Sequence, residues 1–220
     1  MADTNALVKV NVRIEGKTGT KFEDNIDTQG GDVTPGSGTT HPADGTNGNE
    51  YPFKVPTCTA ALARSNVGWD GTFNANLEDF FITKIAGEAA GTNEYWQLAV
   101  NFKRATLGGG QTRIQTADSV VWALIPVQQA PANGLPLLKL KGPRSAKANV
   151  EFQVTVIDGE TRQAVEGATV KDGGGQLSWK TDYQGVAKIK YPAPDTNPKT
   201  LKAEHKDKYV RSNALKVKVD

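Results

Sequence analysis

Glu78 and Asp79 are adjacent carboxylates, the residue type that general acid–base work requires. Consecutive side chains on an extended segment point to opposite sides, so this pair cannot flank one substrate bond. His205 stands beside Glu204 and close to Asp207, which sketches a proton relay. Its Lys-, Asp- and Glu-rich setting reads instead as the solvated face of a strand. The sequence contains no G-x-S-x-G elbow, no H-E-x-x-H pair and no phosphate-binding loop. The expectation is a non-enzymatic protein.

Metal chemistry is as thinly supplied. The stretch 27–51 carries oxygen donors at Asp32, Asp44, Asn47, Asn49 and Glu50, which raises the question of calcium. Their spacing lacks the D-x-D-x-D-G register and closing Glu of an EF-hand. Neither His41 nor His205 has a second His or Cys at ligand spacing, so zinc has no donor set. No metal or other cofactor is expected. Cys58 is the single cysteine, which excludes an intrachain disulfide, and its alanine neighbours predict a buried, inert thiol.

The aromatic residues offer binding chemistry. Trp69, Trp96 and Trp122, three of the four tryptophans, fall within 69–124, together with Phe73 and Tyr95. Aromatic faces stack on sugars and flat rings and bury a large area at low entropy cost. Trp122, inside an alternating run, belongs to the core. Trp69, Asp70, Phe73, Tyr95 and Trp96 are the candidate platform, joined by Asp44, Asn47 and Tyr51 from the long polar stretch. The expected partner is a carbohydrate or a small flat ligand, or a cell-surface component.

These side chains need a scaffold, and the patterning supplies strands. Residues 7–15 alternate, with Val8, Val10, Val12 and Ile14 on one face and Lys9, Asn11, Arg13 and Glu15 on the other, as in a half-buried strand. A Gly-containing turn and a return over 20–26 complete a hairpin. Residues 27–51 have almost nothing to bury and read as a long loop. Thr57 can cap a helix over 57–66 whose apolar stripe is Cys58, Ala61 and Leu62. Strands follow at 80–85, 95–102 and 119–124, separated by Gly-rich turns that include Gly108, Gly109 and Gly110. One short helix against such a sheet is β-grasp-like.

Residues 126–136 are rich in proline and mark a linker. Short strands follow at 137–141, 150–157, 168–171, 177–180, 185–191, 200–205 and 215–219, with turns at Asp158-Gly159, Asp172-Gly173 and Gln184-Gly185. That spacing implies an immunoglobulin-like antiparallel β-sandwich. The domains expected are 6–126, a linker with a first strand over 127–145, and 146–220. An isopeptide cross-link in the sandwich would need a buried lysine, whereas Lys188, Lys190, Lys216 and Lys218 alternate onto exposed positions.

A formal charge of +2 is too balanced to suggest nucleic acid. No apolar run reaches membrane-spanning length. Residues 1–5 read as a start codon set on a processed N-terminus, and the chain is expected to be secreted.

Trp69-Asp70-Gly71-Thr72, the run 80–85, Tyr95-Trp96-Gln97 and the run 118–122 resemble the domain-of-unknown-function family 4430, over about residues 7–125. That family is related to the C-terminal β-domain of intrinsic factor and transcobalamin, a resemblance that implies a β-grasp-like fold and raises corrinoid binding. Val165-Glu166-Gly167-Ala168-Thr169-Val170 and the turn from Thr181 to Ala187 resemble the carboxypeptidase-regulatory or bacterial immunoglobulin-like sandwich. Two-domain proteins of this layout resemble exported proteins of actinomycetes and filamentous fungi, which implies an extracellular adhesion or binding role or a structural one. The first family's relatives carry a cysteine in the loop near 41–47 and another in the Gly-rich turn. This chain has neither, so its loop should be looser or held by other contacts.

Overall fold

The structure, a computed structural model, describes residues 5–46, 51, 53–127, 134–206 and 208–220. The chain divides into two compact units, Met1–Gly134 and Leu135–Asp220. Both are built mainly of strands.

In the first unit, β1 (Val8–Glu15) and β2 (Thr20–Thr28) form the opening hairpin. A short ribbon follows, β3 (Gly31–Val33) and β4 (His41–Ala43), and then the helix α1 (Cys58–Arg64). Next come β5 (Trp69–Asn74), β6 (Asp79–Ile85), β7 (Glu88–Ala89), β8 (Glu94–Val100), β9 (Lys103–Arg104) and β10 (Ser119–Pro126). The main sheet runs β2-β1-β10-β8-β9, and β5-β6-β7 form a separate one. β1 and β10 pair in parallel, with Val12 opposite Val120 and Ile14 opposite Trp122, while their other neighbours are antiparallel. A parallel central pair flanked by hairpins and crossed by one helix is the β-grasp-like arrangement expected.

Alternation explains the core. Val10, Val12 and Ile14 of β1 meet Val120, Trp122 and Leu124 of β10 and Trp96 and Leu98 of β8. Cys58, Ala61 and Leu62, the predicted stripe of α1, are fully buried against them. Thr57 caps the helix, its hydroxyl accepting from the Ala60 amide at 3.2 Å, and so satisfies one of the orphan N–H groups of the first turn. Burial raises the Cys58 thiol well above its ordinary range, with the charges of Asp118 and Asp79 adding to the effect.

Two expectations need correction. Alternation predicts a solvent face for Arg13 and Glu15, but they are 1% and 2% exposed, with Arg13 Nε 3.7 Å from the Glu15 carboxylate. Val121, Ala123 and Gln97 are buried on the same face, so the sheet is covered on both sides at this end. Residues 27–51 are not a loop throughout, because β2 continues to Thr28 and the β3–β4 ribbon contributes Val33 and Ala43 to the core. Two small apolar residues at that spacing carry too weak a period-2 signal to read from sequence.

The second unit comprises β11 (Leu138–Lys141), β12 (Ser145–Ala146), β13 (Phe152–Asp158), β14 (Thr169–Asp172), β15 (Ser178–Lys180), β16 (Val186–Ile189), β17 (Asp195–Glu204) and β18 (Leu215–Val219). One sheet is β11-β13-β16 and the other β12-β18-β17-β14-β15. Their inner faces share Leu140, Val154, Val156, Val170, Leu201 and Val217, giving an immunoglobulin-like sandwich. Its strand pairs are antiparallel except at one edge, where the two-residue β12 pairs in parallel with β18, and an isolated parallel bridge joins Leu137 to Val210. The Thr181 hydroxyl donates to the Val165 carbonyl at 2.7 Å and accepts from the Ala168 amide at 2.9 Å. The turn after it is closed by Asp182, which accepts from the amides of Gln184 and Val186, with Gly185 at φ 74°. Lys188, Lys190, Lys216 and Lys218 are exposed. Of the expected linker, 128–133 lie outside the described residues, as do Asp207 of the sketched relay and residues 1–4.

Candidate binding groove of the first unit

The Gly-rich turn is the hub of the first unit. The Thr59 amide donates to the Gly109 carbonyl at 3.0 Å, and the Cys58 amide to that of Thr112 at 3.1 Å. The Gly45 amide reaches the Gly110 carbonyl at 3.1 Å, and the Val55 amide reaches the Asp44 carbonyl at 2.8 Å. The 41–46 segment is therefore tied to the turn by backbone hydrogen bonds, at the place where the resemblance implied a disulfide. Gly109 is required sterically, since a Cβ there would sit 2.4 Å from Thr59 Oγ1 and 2.8 Å from the Trp122 ring.

Two aspartates hold this knot with opposite electrostatics. Asp79 is buried and accepts from the amides of Gly110 at 2.9 Å and Phe80 at 2.7 Å. Desolvation outweighs these bonds and pushes its carboxyl above the ordinary value. Asp44 is also desolvated, but the Thr46 hydroxyl at 2.7 Å and the Lys54 ammonium at 3.1 Å outweigh that and hold it below.

Clefts open on either side of the knot. The larger, about 610 Å³, is lined by Tyr51, Lys103, Arg104, Leu107, Thr112 and Arg113 among others. The Arg113 guanidinium lies over the Tyr51 ring at 4.1 Å, a cation–π contact that orients both groups. A neighbouring cleft of about 190 Å³ shares Arg104, Ala105 and Leu107 with it and runs between β6 and β8, past Phe81, Tyr95 and Trp96. The two clefts adjoin at these shared residues, with Tyr51 lining one and Phe81 and Tyr95 the other. Trp96 and Trp122 line the smaller part, and each indole N–H is buried without a partner among the described residues. On the far side of the Gly45–Gly110 tie, a cleft of about 360 Å³ is lined by His41, Asp44, Phe73 and Glu78, and its sign is acidic.

The expected site residues are thereby distributed rather than gathered. Tyr51, 44% exposed, stands on the large cleft, and Tyr95 lines the small one. Trp69 and Trp96 are only 8% and 6% exposed and belong to the core, so the exposed tryptophan edge expected from sequence is corrected. Trp69 packs edge-on against Phe80, with centroids 5.1 Å apart. Phe73 stacks on His41 at 3.8 Å and faces the acidic cleft with Asp44. Asp70 accepts from the Ser37 hydroxyl at 2.6 Å and from the Gly71 amide at 2.9 Å, which ties the β3–β4 connection to β5. Asn47 lies outside the described residues. Sequence reading missed Phe81, Lys103, Arg104, Leu107 and Arg113. The signal was present as three cations in eleven residues flanking the Gly-rich turn, with exposed Leu107 beside it.

A protein-family model described as Domain of unknown function (DUF4430) matches residues 64–125. The match runs from the last residue of α1 into β10, so it takes in the Gly-rich turn but not the 41–59 segment that contributes Gly45, Tyr51 and Thr59. No curated protein matches the chain. Among the described residues, no helix is long and apolar enough to cross a membrane. None of their His, Cys, Asp and Glu side chains form a group of three or more that could hold a metal ion.

Proposed function

We propose that the chain is an exported, non-enzymatic binding or adhesion protein whose first unit recognises a carbohydrate in the groove between Tyr51 and Tyr95. The observation that carries this reading is the groove itself. Adjoining open clefts lined by aromatic rings and by polar side chains suit a chain of sugar rings, whose C–H faces stack while their hydroxyls meet side-chain donors and acceptors. Thr112, which lines the larger cleft, supplies one such hydrogen-bonding hydroxyl. The second unit, a sandwich with a regular core, acts as a spacer or a second adhesion module.

A purely structural role is favoured by one observation, the burial of Trp69 and Trp96, which removes them from any platform. Corrinoid or other flat-ligand capture would fall to the exposed faces of Tyr51 and Phe81. Isothermal titration of the purified chain and its Tyr51→Ala variant with a panel of neutral and acidic oligosaccharides separates these readings. Saccharide binding weakened about tenfold by the substitution, with the melting temperature unchanged, is expected for loss of one stacking ring. Absence of binding to the whole panel overturns the saccharide reading in favour of the structural one.

A further inference from the structure

Tyr51 is the ring on which the proposed site depends, yet it takes no part in the hydrophobic core of the first unit. Among the described residues, two contacts place it. Its amide donates to the Thr46 carbonyl at 3.0 Å, which fixes the backbone. The Arg113 guanidinium lies over the ring, 4.1 Å from the centroid, which fixes the side chain. Arg113 stands on rigid ground. Its backbone forms an antiparallel bridge with Thr57, the cap of α1. Hydrogen bonds flank that bridge, from the Cys58 amide to the Thr112 carbonyl at 3.1 Å and from the Ile114 amide to the Pro56 carbonyl at 3.0 Å. The arginine stem passes Gly45, with Cγ and Nε 3.6 Å from the point that a Cβ there would occupy. Nη2 donates to the Gly45 carbonyl at 3.4 Å, and Gly45 is in turn tied to Gly110.

A flat guanidinium stacked on an aromatic face makes a cation–π contact and also fills that face. Tyr51 is 44% exposed, so with one face taken the other is the one a ligand reaches. A side chain that is ordered before the ligand arrives removes that part of the entropy cost from binding. We infer that Arg113 is the positioning residue of the site. It holds the Tyr51 ring ready, leaves one face for a sugar, and acts through the ring rather than on the ligand. The role requires the stack and is indifferent to what else the guanidinium meets. It rests on the saccharide reading and adds to it the residue that sets the ring.

A double-mutant cycle on the full chain tests this, by isothermal titration with the panel of neutral and acidic oligosaccharides, cellotetraose and tetragalacturonate among them. Arg113→Met keeps the stem and removes the fork. It is expected to weaken saccharide binding about fivefold, the scale of one side chain left to be ordered on binding. Arg113→Lys returns a cation to the ring and should bind within about twofold of the parent. In the Tyr51→Ala background Arg113→Met should change nothing more, because the ring it holds is gone. The stack has its own readout. The Arg113 Nε–H proton is expected to resonate upfield in the parent, under the Tyr51 ring current, and to return to its ordinary position in Tyr51→Ala. A lowered melting temperature for Arg113→Met passes the decision to Arg113→Lys and this resonance. Three results overturn the positioning role while the saccharide reading stands: Arg113→Met binding as tightly as the parent, an equal loss in the Tyr51→Ala background, or a resonance that Tyr51→Ala leaves in place. Failure of the parent to bind any member of the panel overturns both.

Discussion

The two units solve the same problem, burying one face of a sheet, with different materials. The second relies on alternation: β18 reads buried, exposed, buried, exposed, buried from Leu215 to Val219, and Asp158 is its sole buried charged side chain among the described residues. The first unit buries Arg13, Glu15, Asp44, Asp79 and Asp118 and holds Asn66, Glu78, Ala86, Asn101, Phe102 and Ala117 at positive φ, against Asn149 and Arg162 in the second. Backbone strain and buried charge persist only where surrounding contacts over-determine them. They cluster here around the Gly-rich turn and the hairpin connections that frame the groove. The lesson is a division of labour, with a regular sandwich that carries and an irregular grasp that presents loops.

The sharpest way to break this contrast is to attack the tryptophans. If Trp69 and Trp96 are core, Trp69→Ala and Trp96→Ala should each destabilise the first unit by about 3–5 kcal/mol, visible in thermal melts before any ligand is added. Melting temperatures close to the parent's would place them on a surface instead.

A smaller effect sharpens the account of the knot through pH. Asp44 is held below its unfolded value of 3.8, so its contribution is present above that value and lost as pH falls through the folded one. Asp79 is held above 3.8, so the folded state binds its proton more tightly, and its contribution is present at low pH and lost as pH rises through the folded value. Chemical denaturation across pH about 3 to 6 should give opposite slopes for the two substitutions. The parent's advantage over Asp44→Asn grows with pH towards about 1 kcal/mol, while its advantage over Asp79→Asn shrinks. Parallel slopes would contradict the assignment.

Much of the scaffold was legible in the sequence because it rests on periodicity. The valines of β1, the Thr57-capped helix, the β8–β10 pair and the sandwich strands all follow from alternation, capping and turn chemistry. The β3–β4 ribbon was not legible, since Val33 and Ala43 are isolated apolar residues in a polar stretch. Nor were the burial of Arg13 and Glu15 or the parallel β12–β18 edge, which depend on tertiary neighbours. The site was legible in part. Tyr51 and Tyr95 line the groove, but Trp69 and Trp96 turn inward because their strands face the core. Local sequence cannot report which face of a strand end is covered. The basic residues 103, 104 and 113 leave no mark on the net charge of the chain, which is nearly balanced.

The groove is tested most directly by amide chemical-shift mapping of the isotopically labelled chain during titration with each oligosaccharide of the neutral and acidic panel. The account predicts shifts gathered at Gly45, Tyr51, Lys103, Ala105, Leu107 and Thr112, with the second unit silent. Shifts confined to the sandwich, or to the acidic cleft at His41 and Phe73, would contradict it.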